Sequence, residues 1–143
     1  MIFKWLAAVL AGLQIIGLSP SEPLVQLFDV KEEKVVYQRS LTPGLEQAVI
    51  DLLESSPSVY NGIDMNPHSG VILHILFASP VHLSSRIYPG AAKDVYLFLE
   101  PGEKPRAVVF LATTDQYIIV TLDKDSDAFI KEHRWIQAKT PGF

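Results

Sequence analysis

Residues 94–122 read DVYLFLEPGEKPRAVVFLATTDQYIIVTL, and this stretch decides the fold. Residues 94–99, 106–112 and 117–122 are dense in β-branched and aromatic side chains, the composition of strands. The first two runs are separated by Glu100-Pro101-Gly102-Glu103-Lys104-Pro105 and the last two by Thr113-Thr114-Asp115-Gln116. Parallel neighbours need a crossover of a dozen or more residues, so links this short make the three strands an antiparallel meander. Residues 107–112 and 117–120 are apolar on both parities, which places them in the centre of the sheet.

Upstream, residues 71–77 form a near-continuous apolar strand with Val71, Leu73, Ile75 and Phe77 on one face and Ile72, His74 and Leu76 on the other. In residues 81–88, Val81, Leu83 and Ile87 alternate with His82, Ser84, Arg86 and Tyr88, the pattern of a strand with one wet side. A turn at Ala78-Ser79-Pro80 would join these two, and Pro89-Gly90 ends the second. Nearer the N-terminus, residues 24–30 and 34–39 read as a hairpin around Lys31-Glu32-Glu33-Lys34.

Two helices complete the pattern. Thr42 can accept an orphan N–H as N-cap and Pro43 suits the first helical position, opening an amphipathic helix over about 43–55. Its inner face is Leu45, Ala48, Val49, Leu52 and Leu53, and its outer face is Glu46, Gln47, Asp51 and Glu54. A short helix over about 126–134 can bury Phe129 and Ile130. The fold class expected is α+β, mainly an antiparallel meander, with these two helices and a hydrophobic helix before them.

That hydrophobic segment begins with Met1 to Lys4, carrying one positive charge, and continues as an apolar run from Trp5 to Leu18 in which only Gln14 is polar. Ser19-Pro20-Ser21-Glu22-Pro23 follows, with Ser19 and Ser21 as small residues before a cut at Glu22, although an A-x-A site is absent. Residues 1–21 are therefore expected to be a signal peptide or membrane anchor, and 22–143 a single α+β domain. As a helix, residues 2–18 are about the shortest that can cross a hydrocarbon core of roughly 30 Å. The competing expectation is a core helix of a cytoplasmic protein.

Among the 143 residues there is no Cys, which excludes disulfides, thiolate zinc sites, Cys nucleophiles and a lipoprotein anchor together. With 12 Lys+Arg against 16 Asp+Glu the formal charge is −4. That argues against nucleic acid as a partner, which needs clustered positive charge.

Candidate chemistry is sparse. Asp123, Asp125 and Asp127 stand at alternate positions, as the first three ligands of a calcium loop do. The sixth position is Ala128 where Gly is needed and the twelfth is Arg134 where Glu is needed, so acidic residues favouring a helix N-terminus are the simpler reading. Asp64, His68 and Ser69 have the residue types of an acid, base and nucleophile. They lie in residues 57–70, where Asn61-Gly62, Asn66-Pro67 and Ser69-Gly70 are turn signals and the G-x-S-x-G elbow is missing. His74 and His82 share a face only in one hairpin register and lack a third metal ligand. No phosphate-cradling glycine motif occurs.

Missing machinery and an export-type N-terminus together predict a non-enzymatic extracytoplasmic domain, secreted or anchored, with no cofactor. It would bind a protein or envelope component through Tyr60, Asn61, Asn66, His68, His82, Arg86 and Tyr88, and meet a membrane only if the first segment is uncleaved. The alternatives are a small hydrolase using residues 64–69 and a cytoplasmic interaction domain whose first helix is core.

Overall fold

The computed structural model describes residues 22–55, 57–62 and 66–141. The expected segment at 1–21 and Asp64 lie outside those residues. Seven antiparallel strands form one sheet: β1 (Leu24–Asp29), β2 (Lys34–Ser40), β3 (Ser58–Val59), β4 (Val71–Val81), β5 (Ala92–Leu99), β6 (Arg106–Leu111) and β7 (Tyr117–Thr121). Their spatial order is β2-β1-β4-β5-β6-β7-β3. The chain is thus an α+β fold whose last four long strands are the meander expected from residues 71–122.

Local chemistry explains the ends of the elements. Asp29 closes the β1–β2 hairpin by accepting the N–H groups of Lys31 (2.9 Å) and Glu32 (3.2 Å) on its carboxylate. The turn needs a residue in the left-handed region, occupied by Glu33 at φ 55°. The first helix, α1 (Pro43–Leu53), starts as the sequence indicates: Thr42 is extended and its hydroxyl oxygen accepts the Leu45 N–H at 3.2 Å, with Pro43 inside the first turn. It ends where the Ser55 hydroxyl donates to the Leu52 carbonyl at 2.6 Å.

Leu45, Val49, Leu52 and Leu53 of α1 are buried against one face of the sheet, formed by residues such as Val25, Leu27, Leu73, Val95 and Val109. Each such side chain contributes about 1.5–3 kcal/mol on burial. On the same face lie α2 (Ser126–Glu132), with Phe129 and Ile130 buried, and α3 (Trp135–Lys139), with Ile136 buried. Asp125 caps α2 by accepting the Asp127 N–H at 3.0 Å. Trp135 of α3 packs near Tyr37 at 6.0 Å between ring centroids, and the Arg39 guanidinium lies 5.0 Å from its ring. No helix among the described residues is long and apolar enough to cross a membrane.

Four expectations are corrected. The chain does not turn at Ala78-Ser79-Pro80; β4 runs on to Val81, past a register shift after Leu76. Residues 82–91 are a connection instead of a strand, because their partners are side chains and turns instead of a ladder. Ser84 is held by Glu54, the Tyr88 hydroxyl donates to the Leu53 carbonyl, and Leu83 is buried with them. Strand β7 is next to the edge and only half-buried; its two apolar parities reflect contacts on both faces, while the centre belongs to β5 with β4 and β6 on either side, so the expectation holds for residues 107–111 and not for 117–120. Finally, the C-terminal helix stops at Glu132, and α3 follows as a separate turn.

Candidate functional site

Strand β3 fixes the start of the 57–70 segment beside β7, with Ser58 opposite Thr121, Val59 opposite Val120 and the Tyr60 N–H donating to the Ile119 carbonyl at 2.9 Å. Gly70 returns the chain to β4, and its carbonyl accepts the Val30 N–H at 3.2 Å. Between this segment and the β5–β6 turn lies a cleft of about 450 Å³, lined by Tyr60, Asn66, His68, Glu100, Glu103, Lys104, Arg106 and Thr121.

Arg106, the first residue of β6, is the structural centre of the cleft. One of its terminal nitrogens donates to Glu100 Oε1 at 2.6 Å, and both side chains are largely shielded from solvent. The guanidinium carbon sits 5.6 Å from the Tyr60 ring centroid and 5.8 Å from that of Phe98, so two aromatic faces flank it. The other Glu100 oxygen accepts the His68 backbone N–H at 3.4 Å. One carboxylate therefore links the 57–70 segment to the β5–β6 turn. Lys104 bonds the Asp123 carboxylate at 2.6 Å, and that bond and its charge hold the Asp123 carboxyl below its ordinary range.

Tyr60, Asn66 and His68, all expected at a binding surface, are brought together at this cleft. Asn61 is exposed nearby. His82 and Arg86 are exposed too, but they follow the other end of β4, so the expected surface divides between opposite ends of the sheet. Tyr88 leaves it altogether: its ring is buried and its hydroxyl donates inward to Leu53 at 2.5 Å. Burial raises the pKa of that hydroxyl strongly, with the Glu54 charge as a smaller cause.

His68 is exposed and Ser69 half-buried, while Asp64, the third of the expected hydrolase residues, lies outside the described residues. Asp123, Asp125 and Asp127 have separate partners: Lys104, the N–H of Asp127 itself, and the Gly102 N–H at 3.3 Å. No group of three His, Asp or Glu side chains among the described residues is disposed to hold a metal ion.

Two features escaped the sequence reading. Glu100 and Arg106 were assigned only to a turn and a strand start, although a charged turn facing a turn-rich segment was the available signal. The second is a buried polar group on the opposite side of β4 from α1. His74 Nε2 lies 2.9 Å from Asp94 Oδ2, and its Nδ1 lies 3.4 Å from Gln26 Oε1, with the ring stacked on Tyr96 at 4.1 Å. His74 thus faces Asp94 and not His82; the cross-strand contact depends on a register that patterning alone does not give.

Comparison with protein-family models, curated proteins and solved structures finds no match to this chain.

Proposed function

We propose that this protein is a non-enzymatic binding domain that takes a polar peptide segment of a protein partner into the cleft between residues 57–70 and the β5–β6 turn. The observation carrying this reading is the convergence of Tyr60, Asn66 and His68 on the Glu100–Arg106 pair. The charged lining residues are Glu100, Glu103, Lys104 and Arg106, which balance in sign. A balanced cleft with amide, imidazole, phenol and hydroxyl groups suits a hydrogen-bonding peptide better than a phosphate-rich ligand.

The layout of residues 1–21 supports an extracytoplasmic place for the domain, and the alternative is a cytoplasmic interaction domain that keeps them. Peptide binding at the cleft is compatible with both.

The test is affinity capture with parent protein and with Tyr60→Ala, His68→Ala and His82→Ala variants. Partners held by the parent and by His82→Ala, but lost with both cleft variants, support the proposal. Equal capture by all four proteins sinks it. Hydrolysis of a chromogenic ester that disappears in Ser69→Ala would instead favour the hydrolase alternative.

A further inference from the structure

Strand β2 and helix α3 meet through four side chains, one ring and one cation from each. Tyr37 and Arg39 stand two apart on β2, opposite Leu27 and Val25 of the core face, so both lie on the helix side of the sheet. Trp135 and Lys139 stand four apart on α3, one turn along the same helix face. Each cation lies over the ring of the other element. The Arg39 guanidinium carbon is 5.0 Å from the Trp135 ring centroid, and Lys139 Nζ is 4.8 Å from that of Tyr37. The two rings are 6.0 Å apart and tilted. Tyr37, Arg39 and Trp135 are half-buried, and Lys139 is exposed.

A ring face attracts a cation through its quadrupole but carries no net charge, so these contacts orient Arg39 and Lys139 without neutralising them. Neither has a carboxylate partner among the described residues. The same holds for Lys131 on α2 and for Arg134 just before α3, both exposed, which line one shallow groove with Ile130 and Gln137. The two acids of residues 126–139 are engaged elsewhere: Asp127 accepts the Gly102 N–H at 3.3 Å, and Glu132 pairs with Lys124 at 3.1 Å. The Arg39 charge is felt at His133, where burial chiefly lowers the pKa, Glu132 acts against it, and Lys124 and Arg39 act with it. Four unneutralised cations thus stand on α2, α3 and the edge strand β2 of a chain whose formal charge is −4.

We propose that this corner is a second interaction surface, which binds an Asp- and Glu-rich segment of a protein partner, with carboxylates bridging Arg39 and Lys139 and further acids meeting Lys131 and Arg134. A carboxylate matches the planar fork of a guanidinium held flat on a ring. A nucleic acid fits less well. Each ring already holds a cation and both pack against the core, so neither offers a platform for a base. The negative charge of the whole chain also repels a dense polyanion more than a short acidic peptide. This surface is distinct from the cleft, and the inference stands whether or not the cleft takes a peptide.

The probe is a fluorescein-labelled peptide of alternating Glu and Gly, titrated into the full chain at low salt and followed by fluorescence anisotropy. Saturable binding is expected, and none with the Gln–Gly counterpart. Arg39→Gln and Lys139→Gln should each weaken it about three- to tenfold. Lys31→Gln, which removes an equal charge from the β1–β2 turn, should leave it nearly unchanged. Absence of saturable binding, no loss with Arg39→Gln or Lys139→Gln, equal losses in all three variants, or tighter binding of an oligothymidylate of matched charge would overturn the inference. Because the two corner substitutions also loosen α3 from β2, a second reading leaves the corner intact. In a Trp5→Phe chain Trp135 is the single tryptophan. Its emission should shift as bound carboxylates draw Arg39 from the ring, and emission unchanged at saturating peptide would overturn the inference equally.

Discussion

The carboxylate of Glu54 accepts two hydrogen bonds from Ser84, one from the backbone N–H and one from the hydroxyl, each at 2.6 Å. This joins the end of α1 to the connection after β4, and the same two hydrogen bonds, the hydroxyl's first, lower the carboxyl pKa. A depressed carboxyl contributes stability above its ordinary titration range and loses that contribution as pH falls through the folded-state value. Ser84→Ala should therefore lower unfolding free energy by about 0.5–1 kcal/mol at neutral pH, a modest figure because Glu54 is well solvated. Urea titrations of parent and variant should converge at strongly acidic pH.

At the alkaline end, Tyr88 and Tyr96 should set the limit. Desolvation by burial is the main cause raising both hydroxyls, with Glu54 and Asp94 adding to it respectively. Their stabilising contribution is complete below the ordinary phenol value of about 10 and is lost as pH rises toward the folded-state values. Ultraviolet titration should show two tyrosines that ionise only as circular dichroism reports unfolding; early ionisation of both would contradict their burial.

The two hydroxyls should respond oppositely to removal. Tyr88→Phe deletes the bond to the Leu53 carbonyl and should cost about 1–2 kcal/mol, since a buried acceptor is left behind. Tyr96→Phe removes a buried oxygen that has no partner among the described residues, and should be neutral or stabilising by up to about 1 kcal/mol. Paired denaturation curves decide this, and a large loss in Tyr96→Phe would reveal a partner for its hydroxyl.

Glycine to alanine changes should also separate. Gly70 has φ +82°, and an added Cβ would lie 2.1 Å from the Leu99 carbonyl oxygen, so Gly70→Ala must displace backbone where the 57–70 segment enters β4. A loss of about 2 kcal/mol or more is expected. Gly44 lies in α1 with nothing within 4 Å of the added atom, and Gly44→Ala should gain about 0.5–1 kcal/mol from helix propensity. Thermal melts of the two variants should shift in opposite directions.

Sequence reading succeeded where one local interaction determines an element. Thr42 and Pro43 announce α1 through capping chemistry, and the short links after Leu99 and Leu111 leave antiparallel pairing as the only geometry. It failed where long-range partners decide. Val81, Leu83 and Ile87 alternate as a strand does, yet Ser84 and Tyr88 are bound by the end of α1, thirty or more positions earlier in the chain. Likewise, Tyr60, Asn66 and His68 were legible as a turn-rich surface, but their convergence on Arg106 depends on β3 pairing with β7.

That pairing has a consequence for synthesis. Strand β3 emerges early from the ribosome, but among the described residues its one sheet neighbour is the final strand, β7, at the opposite end of the meander from the β1–β2 hairpin. While β4, β5 and β6 are being made, the β3 segment has no place to dock, and Tyr60 cannot yet stand over Arg106. The cleft is thus assembled by the last strand to appear. A nascent or prematurely ended chain can present the hairpin and α1 while the cleft is still open on one side, so that the finished cleft itself reports that translation has passed Thr121.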